Sequence, residues 1–381
     1  MIPEKELNEL WEFSVGVRRQ IHEYPEVGFD LDNTVKVVAG ELEKLQISYS
    51  LEYGKGSVVA EVGSGEKMIA LRADMDALPV EEKVDVPFRS KIPGAMHACG
   101  HDSHTAVVLA VAKYLKTHES ELSHRVRLIF QPSEEGQISG AKMLVDAGVM
   151  EGVSSILGSH CENTLQAGLL GAHVGDYQAA CIPATIQFHG KSTHATLPEA
   201  GVDAVAMAVD AYCEMKEMVA REAGSDRYIW QVGHFAGGHV HNVVADLCTM
   251  DISFRFYNMD FAKRVGENVH AICNRIAESY GGKVEILWNM STGPVINDAT
   301  VVETFCKGAQ AQGIEVVDQP SRMSSEDFGW YLTKAPGLMF RFGTRNEALG
   351  CTATAHRSDF KIDETGMKPA IQAFIAYAMQ A

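Results

Sequence analysis

Between residues 97 and 104 the chain reads His97-Ala98-Cys99-Gly100-His101-Asp102-Ser103-His104. Three imidazoles and a thiol packed this closely supply the donors that divalent first-row metals take. One glycine separates Cys99 from His101, so both can reach a single ion from a loop. A polar loop running into a helix, with Asp102 or Ser103 as its N-cap, accounts for those two residues. It does not account for a cysteine set among three histidines. A second cluster is Glu134-Glu135. Neighbouring side chains leave the backbone in different directions, so the two carboxylates cannot share a role. One can ligate a metal while the other takes a proton from water and later delivers it to a leaving amine. Alone, such a pair is more often a solvated acidic turn. His194, in Gly190-Lys-Ser-Thr-His194-Ala-Thr-Leu-Pro198, stands between a β-rich run and a helical one. A lone histidine there is more often structural.

The elements that must position these groups follow from hydrophobic periodicity. Ile69–Ala73 runs into Asp74-Met75-Asp76, and Val126–Phe130 runs into Gln131-Pro-Ser-Glu134-Glu135. Ile156–Ser159 runs into His160, and Met339–Phe342 leads through a loop to His356. In open α/β sheets the ligand crevice lies outside the carboxyl ends of the strands, so four such tips point to one cleft. Helical spacing is visible over 4–23, 33–45, 104–118 and 139–147. Gly63-Ser-Gly65 between the β-rich runs 57–62 and 67–73 predicts a hairpin. The middle of the chain changes its order: strand 183–189, helix 203–221, strands 228–235 and 248–256, helix 261–279, strand 283–289. That β-α-β-β-α-β order is a split βαβ sandwich, of a size suited to an inserted domain. On either side strands alternate with helices, with a helix near 299–312, a strand near 338–342 and a final helix from Glu364, which predicts a mainly parallel α/β sheet. The expected organisation is one discontinuous α/β domain, 1–179 and 292–381, with a second domain, 180–291, inserted into it.

Composition bounds the function. At 381 residues a single core is expected to split. With 33 Lys+Arg against 50 Asp+Glu the net charge is −17, which argues against nucleic acid and anionic membrane as partners. Met1-Ile-Pro-Glu-Lys-Glu6 shows no basic stretch followed by an apolar run, and no segment is apolar enough to span a bilayer. A cytoplasmic location is therefore expected. The eight cysteines are scattered without a CxxC pair, too sparse for a disulfide framework. Seven read as small buried hydrophobes, and Cys99 stands apart.

With these residues in hand, the chain resembles the aminoacylase-like metallo-amidohydrolases. Within them it is similar to the branch containing hippurate hydrolase, N-acetyldiaminopimelate deacetylase and indole-acetyl-amino-acid hydrolase. The resemblance rests on His22-Glu-Tyr-Pro-Glu-Val-Gly-Phe29, Leu71-Arg-Ala-Asp-Met-Asp-Ala-Leu-Pro79 and Met96-His-Ala-Cys-Gly-His-Asp-Ser-His-Thr-Ala106. It continues through Phe130-Gln-Pro-Ser-Glu-Glu-Gly136, His194 with Pro198, Ser325-Glu-Asp-Phe328 and His356-Arg-Ser-Asp-Phe360. It implies two divalent metal ions per subunit, Zn, Mn, Ni or Co. Cys99 would bridge them as thiolate, with His101, Glu135, His160 and His356 completing the ligand set. Glu134 would be the general base and then the acid, and Asp76 would orient a ligand. Asp74 stands where related peptidases carry a metal-binding histidine. The insert would be a ferredoxin-like lid and dimerisation domain, giving a homodimer. His194 would approach the scissile carbonyl oxygen, from its own subunit or from the partner subunit.

The chain departs from the family pattern in three places. After His160 it continues Cys161-Glu-Asn-Thr instead of a Val and an aromatic-Pro stretch; an Asn-Val-Ile-Pro segment becomes Asn242-Val-Val-Ala245; and a Gly-Thr-x-Arg segment becomes Ile252-Ser-Phe-Arg255. Asn242 and Arg255 remain candidate contacts to a substrate carboxylate, with Glu326 a third substrate contact. The activity implied is hydrolysis of the amide bond of N-acyl-L-amino acids. A dipeptidase or carboxypeptidase on the same scaffold, a non-catalytic metal- or ligand-binding protein, and a hydrolase using Cys99 as nucleophile are the rival readings.

Overall fold

A computed structural model describes residues 1–380. The chain divides into two compact units, Met1–Tyr177 with Val295–Ser321 and Asp327–Ala381, and Gln178–Pro294 with Arg322–Glu326. In chain order the elements begin α1 (Glu4–His22), α2 (Asp32–Lys44), β1 (Tyr49–Ser50), β2 (Val58–Gly63), β3 (Met68–Asp74), α3 (His101–Thr117), β4 (Arg125–Gln131) and α4 (Gly140–Asp146). There follow β5 (Val153–Gln166), β6 (Leu170–Ala172), β7 (Gly175–Gln178), β8 (Ala180–His189), α5 (Ala204–Ala223), β9 (Tyr228–Gly237), β10 (Leu247–Phe256), α6 (Met259–Tyr280) and β11 (Lys283–Trp288). The chain closes with β12 (Val295–Asn297), α7 (Ala299–Ala311), β13 (Val316–Asp318), α8 (Gly329–Leu332), β14 (Gly337–Arg345) and α9 (Met367–Ala378).

The first unit is built on an eight-stranded sheet in the order β1-β2-β4-β3-β5-β14-β6-β13. Its centre, β4-β3-β5-β14, is parallel. Strand β3 is buried at every position, as a parallel strand covered on both faces must be. Leu71, Leu128, Leu157 and Phe340 point to one face and pack with α1, α3, α7 and α9. Ala70, Ile129, Ile156 and Met339 point to the other, where α4, Phe328 and Tyr331 cover them. Alternation along the strands therefore puts Arg72, Asp74, Gln131 and His160 on this second face.

Three local expectations are corrected. The hairpin predicted over 57–73 does not form, because β4 lies between β2 and β3, antiparallel to one and parallel to the other. The two turn glycines reverse the chain but also leave room for β4 to enter. A Cβ on Gly65 would sit 2.7 Å from the Ser123 carbonyl oxygen, and one on Gly63 would collide with that of His124. Helix α3 starts at His101, so this histidine is not a loop residue. Strand β5 runs on to Gln166, paired with β14, so His160 lies inside a strand and not at its tip.

The second unit is an antiparallel sheet in the order β11-β8-β10-β9 with α5 and α6 on one face. Strands β8 and β10 alternate buried and half-exposed residues, as expected when one sheet face is covered. Asp203 caps α5 and Asn258 caps α6, each accepting two backbone N–H groups of the first turn. Among the described residues no helix is long and apolar enough to cross a membrane.

Candidate metal centre

The site lies on the first unit, where β3, β4 and β5 deliver side chains towards the N-terminus of α3. Gly100 takes a left-handed conformation, φ 81°, which turns the chain sharply between Cys99 and the first residue of α3. A Cβ at this position would also strike the Cys161 sulfur. The loop carrying His356 is tied to the cysteine loop by the His356 N–H, which donates to the Ala98 carbonyl at 2.8 Å. His356 itself is at φ 69°, an uncommon conformation for a non-glycine residue.

Six predicted residues converge. Cys99 Sγ is 3.2 Å from His160 Nε2, and His356 Nε2 is 2.9 Å from Glu135 Oε1. Potential ligand atoms of Cys99, His101 and His160 all lie within 4.8 Å of one another. The same holds for Cys99, Glu135 and His356, and for His101, Glu134 and Glu135. Asp76 lies beneath the glutamates and accepts their backbone N–H groups, Glu134 on Oδ1 and Glu135 on Oδ2, each at 3.0 Å. Its Oδ1 is also 3.4 Å from His101 Nδ1.

The donor chemistry fits a cation. His101 is fully buried and its Nε2 meets no hydrogen-bond partner; the nearest carboxylate oxygens, of Asp74 and Glu134, are each 3.9 Å away. An imidazole nitrogen left so is costly unless something else binds it. His160 Nδ1 meets the Cys161 carbonyl at 2.6 Å, and a donor there leaves the Nε2 lone pair facing Cys99. Burial, with His104 and Arg341 nearby, holds His160 well below its ordinary range, so it is neutral. Burial, reinforced by Glu135 and Glu134, pushes the Cys99 thiol well up; a thiolate here requires a cation beside it. His101 shows the converse. Burial works against its charge, yet Asp74 and Asp76 outweigh it and bring the group up to about 10.

His104, three residues on, is excluded by the same reasoning. Its Nδ1 is 2.6 Å from Asp74 Oδ1 and its Nε2 accepts the Cys161 N–H at 2.8 Å, so both nitrogens are engaged within the fold. Asp74 is taken up by His104 and by Arg72 Nη1 at 2.6 Å. Cys161, read as a small buried hydrophobe, is buried as expected and packs on the cysteine loop, with its Sγ 3.3 Å from the Cys99 carbonyl.

The remaining predicted residues belong to the second unit. His194 is exposed, with Nδ1 2.8 Å from Thr196 Oγ1, and its backbone bridges to Val243. Asn242 is exposed and its carbonyl accepts the Ala195 N–H at 3.0 Å. Arg255 Nη1 donates to the Met323 carbonyl and to Ser325 Oγ, both at 3.0 Å, so its guanidinium ties residues 322–326 to β10. Glu326 is buried. Sequence reasoning missed its neighbour Asp327, which is fully buried and hydrogen-bonded to Arg72, Gln131, Ser139 and the Ala141 N–H. The signal was present: Asp327 is the third residue of the Ser325-Glu-Asp-Phe328 motif.

Comparison with known proteins gives the family. Residues 70–380 match the model of peptidase family M20/M25/M40. The chain is 36% identical over 365 residues to IAA-amino acid hydrolase ILR1-like 4 of Arabidopsis thaliana, covering 94% of this chain and 83% of that one. It is 34% identical over 371 residues to thermostable carboxypeptidase 1 of Saccharolobus solfataricus, covering 95% and 94%. Among solved structures, the YXEP protein of Bacillus subtilis, described as a dinuclear metal binding peptidase, superposes with a TM-score of 0.84 at 31% identity, over 98% of each chain. The chain is therefore a member of peptidase family M20/M25/M40 and an enzyme of the hydrolase class.

Proposed function

We propose that the protein hydrolyses the amide bond of N-acyl-L-amino acids at a dinuclear metal centre. The observation that carries this is the buried donor set itself, in which His101 Nε2 has no partner within the fold while Glu134 stands 3.9 Å from it. Cys99, His101, Glu135, His160 and His356 would hold the ions, with the Cys99 sulfur as the soft donor among them. When bound, the ions supply Lewis acidity and a water of lowered pKa. Glu134 would serve as the general base towards an attacking water and then as the acid towards the leaving nitrogen. Asp76 fixes Glu134 and Glu135 through their backbone N–H groups, and so sets the distance from base to reacting atoms. The first unit is the catalytic domain. The second, with 180–291 at its heart, is assigned as a ferredoxin-like lid and dimerisation domain, from which His194 stabilises the developing oxyanion. The hydrolase relative from Arabidopsis thaliana, whose name describes an amino-acid conjugate, supports this substrate class.

The carboxypeptidase relative favours a second reading, cleavage of a C-terminal residue from a short peptide by the same chemistry. A panel of acetyl-, benzoyl- and indoleacetyl-amino acids with dipeptides, run after loading with Zn, Mn, Co or Ni, separates the two. Turnover of dipeptides alone would overturn the leading reading. Cys99 as a nucleophile is disfavoured, since burial, reinforced by Glu135 and Glu134, pushes its thiol well up. Glu134→Gln is expected to keep both metals by elemental analysis and lose about 100-fold or more in kcat, the span of general base catalysis. Full turnover in that variant removes Glu134 from the mechanism.

A further inference from the structure

Glu134 and Glu135 stand on a short loop between Gln131, the last residue of β4, and Gly140, the first of α4. The loop is tightly closed. Ser133 is at φ 51°, its Oγ donates to the Ile138 carbonyl at 2.8 Å, and the Gly140 N–H donates to the Ser133 carbonyl at 3.0 Å. Asp76 holds the two glutamate amides, but it does not reach the mouth of the loop. Asp327, distant in sequence, does. Its Oδ2 accepts from Ser139 Oγ at 2.7 Å and from the Ala141 N–H at 3.1 Å, on the α4 side. On the β4 side Gln131 Nε2 donates to both oxygens at 2.9 Å. One carboxylate thus bridges the two ends of the segment that carries the proposed base and a proposed ligand. Asp327 is itself held from below, where Arg72 Nη2 donates to Oδ1 at 2.9 Å. Arg72 also donates from Nε to Gln131 Oε1 at 2.7 Å and from Nη1 to Asp74 Oδ2 at 2.6 Å. The next residue, Phe328, is fully buried and packs against Gly158, where a Cβ would come 2.7 Å from its ring.

We propose that Asp327 is a positioning residue for the Glu134–Glu135 loop, acting through Gln131, Ser139 and the first turn of α4. The proposal rests on the reading of Glu134 as the base. Each partner atom named above presents a donor: guanidinium, carboxamide NH2, hydroxyl and backbone N–H. Ser139 Oγ accepts from the Lys142 N–H, which leaves its proton for Asp327. A carboxylate is the group that meets donors on both oxygens. An amide in its place sets NH2 against a donor in either orientation, and either the β4 side or the α4 side of the loop is released. A loop released at its mouth lets Glu134 move while Cys99, His101, His160 and His356, on other elements, stay in place.

The test is Asp327→Asn on the full metal-loaded chain, with Ser139→Ala and Ser139→Thr as milder variants at a half-buried position. Asp327→Asn is expected to lower kcat about 100-fold at nearly unchanged KM, the order that a misplacement of about 1 Å produces. The kinetics are run at saturating metal with metal per chain counted on the same sample, because Glu135 rides on the same loop as Glu134. Ser139→Ala lowers kcat by a smaller factor, and Ser139→Thr, which keeps the hydroxyl, restores it. Amide hydrogen exchange supplies a readout independent of turnover, in which peptides spanning 131–141 exchange faster in Asp327→Asn and Ser139→Ala while the rest of the sheet is unchanged. Wild-type exchange over 131–141 in both variants overturns the proposal, as does uniform loosening of the whole unit. Should Glu134→Gln prove fully active, the base assignment falls, and the exchange result still decides whether Asp327 holds the loop. If Asp327→Asn does not fold, equal kcat for Ser139→Ala and Ser139→Thr sinks the idea.

Discussion

Replacing Asp76 by Asn tests the proposed site at the point where its geometry is most exacting. The carboxylate is buried, accepts the Glu134 N–H on Oδ1 and the Glu135 N–H on Oδ2, each at 3.0 Å, and lies 3.4 Å from His101 Nδ1. Asparagine keeps the shape but has one oxygen. Whichever way the amide lies, an NH2 faces one of the two backbone donors, so one charge-assisted hydrogen bond is lost. Such a bond contributes about 1.5–3 kcal/mol. If that free energy holds Glu134 against the reacting atoms, kcat falls about 10- to 150-fold, at a factor of ten for each 1.36 kcal/mol. Loss of the orienting charge beside His101 also weakens metal binding, by the roughly 10- to 100-fold typical of groups that orient a ligand. Kinetics must therefore be run at saturating metal, with metal per chain counted on the same sample. The assay is kcat and KM on the best N-acyl amino acid of the panel. Wild-type kcat in a fully loaded Asp76→Asn protein refutes the reasoning. So does a kcat that recovers completely once metal is saturated, since Asp76 would then act on the ions alone and not on Glu134.

Cys99→Ser is expected to lower metal content, because a serine hydroxyl replaces the soft donor between His160 and Glu135; wild-type stoichiometry by elemental analysis removes Cys99 as the bridge. Gly158→Ala is expected to destabilise the chain by about 1–3 kcal/mol, the usual cost of overpacking. Its Cβ would come 2.7 Å from the Phe328 ring and 3.0 Å from the Met339 sulfur, and an unchanged thermal midpoint would show that Phe328 is not seated there. Asp102→Asn reports on the pair Asp102–His22, joined at 2.7 Å behind the cysteine loop. Burial opposes the Asp102 charge, but Arg18 and His22 outweigh it and lower the group below its ordinary 3.8, so its stabilisation is lost as pH falls. Burial likewise opposes the His22 charge, but Asp102 and Glu82 raise it above 6.5, so its stabilisation is complete below that value and lost as pH rises. The advantage of wild type over Asp102→Asn in urea unfolding is therefore greatest between about pH 4 and 6.5 and shrinks on both sides, whereas a constant difference would mean the pair is not ionised.

Much of the site was legible because ligation needs few atoms of recognisable type at short spacing. Cys99, His101 and the Glu134-Glu135 pair could be picked out before any fold was known, and the parallel sheet followed from the alternation of strand and helix. Errors arose where adjacency is decided at long range. Gly63 and Gly65 encode a reversal, but the space between β2 and β3 is claimed by β4, which enters from about 60 residues on, and no local signal marks that. His160 was placed at a strand end because the apolar run stops there, yet pairing with β14 carries β5 onward.

The choice between His101 and His104 shows why residue type alone cannot finish the assignment. Both are buried imidazoles on the first turn of α3, and residue type alone does not separate them, although His101 stands nearer Cys99 in the sequence. The fold separates them by what it offers in return. His104 faces Asp74 and the Cys161 amide, and both of its nitrogens are engaged. His101, three residues earlier, is turned towards Asp74, Asp76 and Glu134 at distances too long for its Nε2 to be satisfied. A buried donor that the chain itself leaves unmet costs free energy, and a ligand at the converging donor set would offset that cost. Arg72, Gln131 and Asp327 are the opposite case. They are polar and buried, but they satisfy one another across 59 to 255 residues of sequence, as their proposed role in holding the loop requires. Metal-binding chemistry and positioning chemistry thus use the same residue types on the same sheet face. What distinguishes them is whether the hydrogen bonds close within the chain.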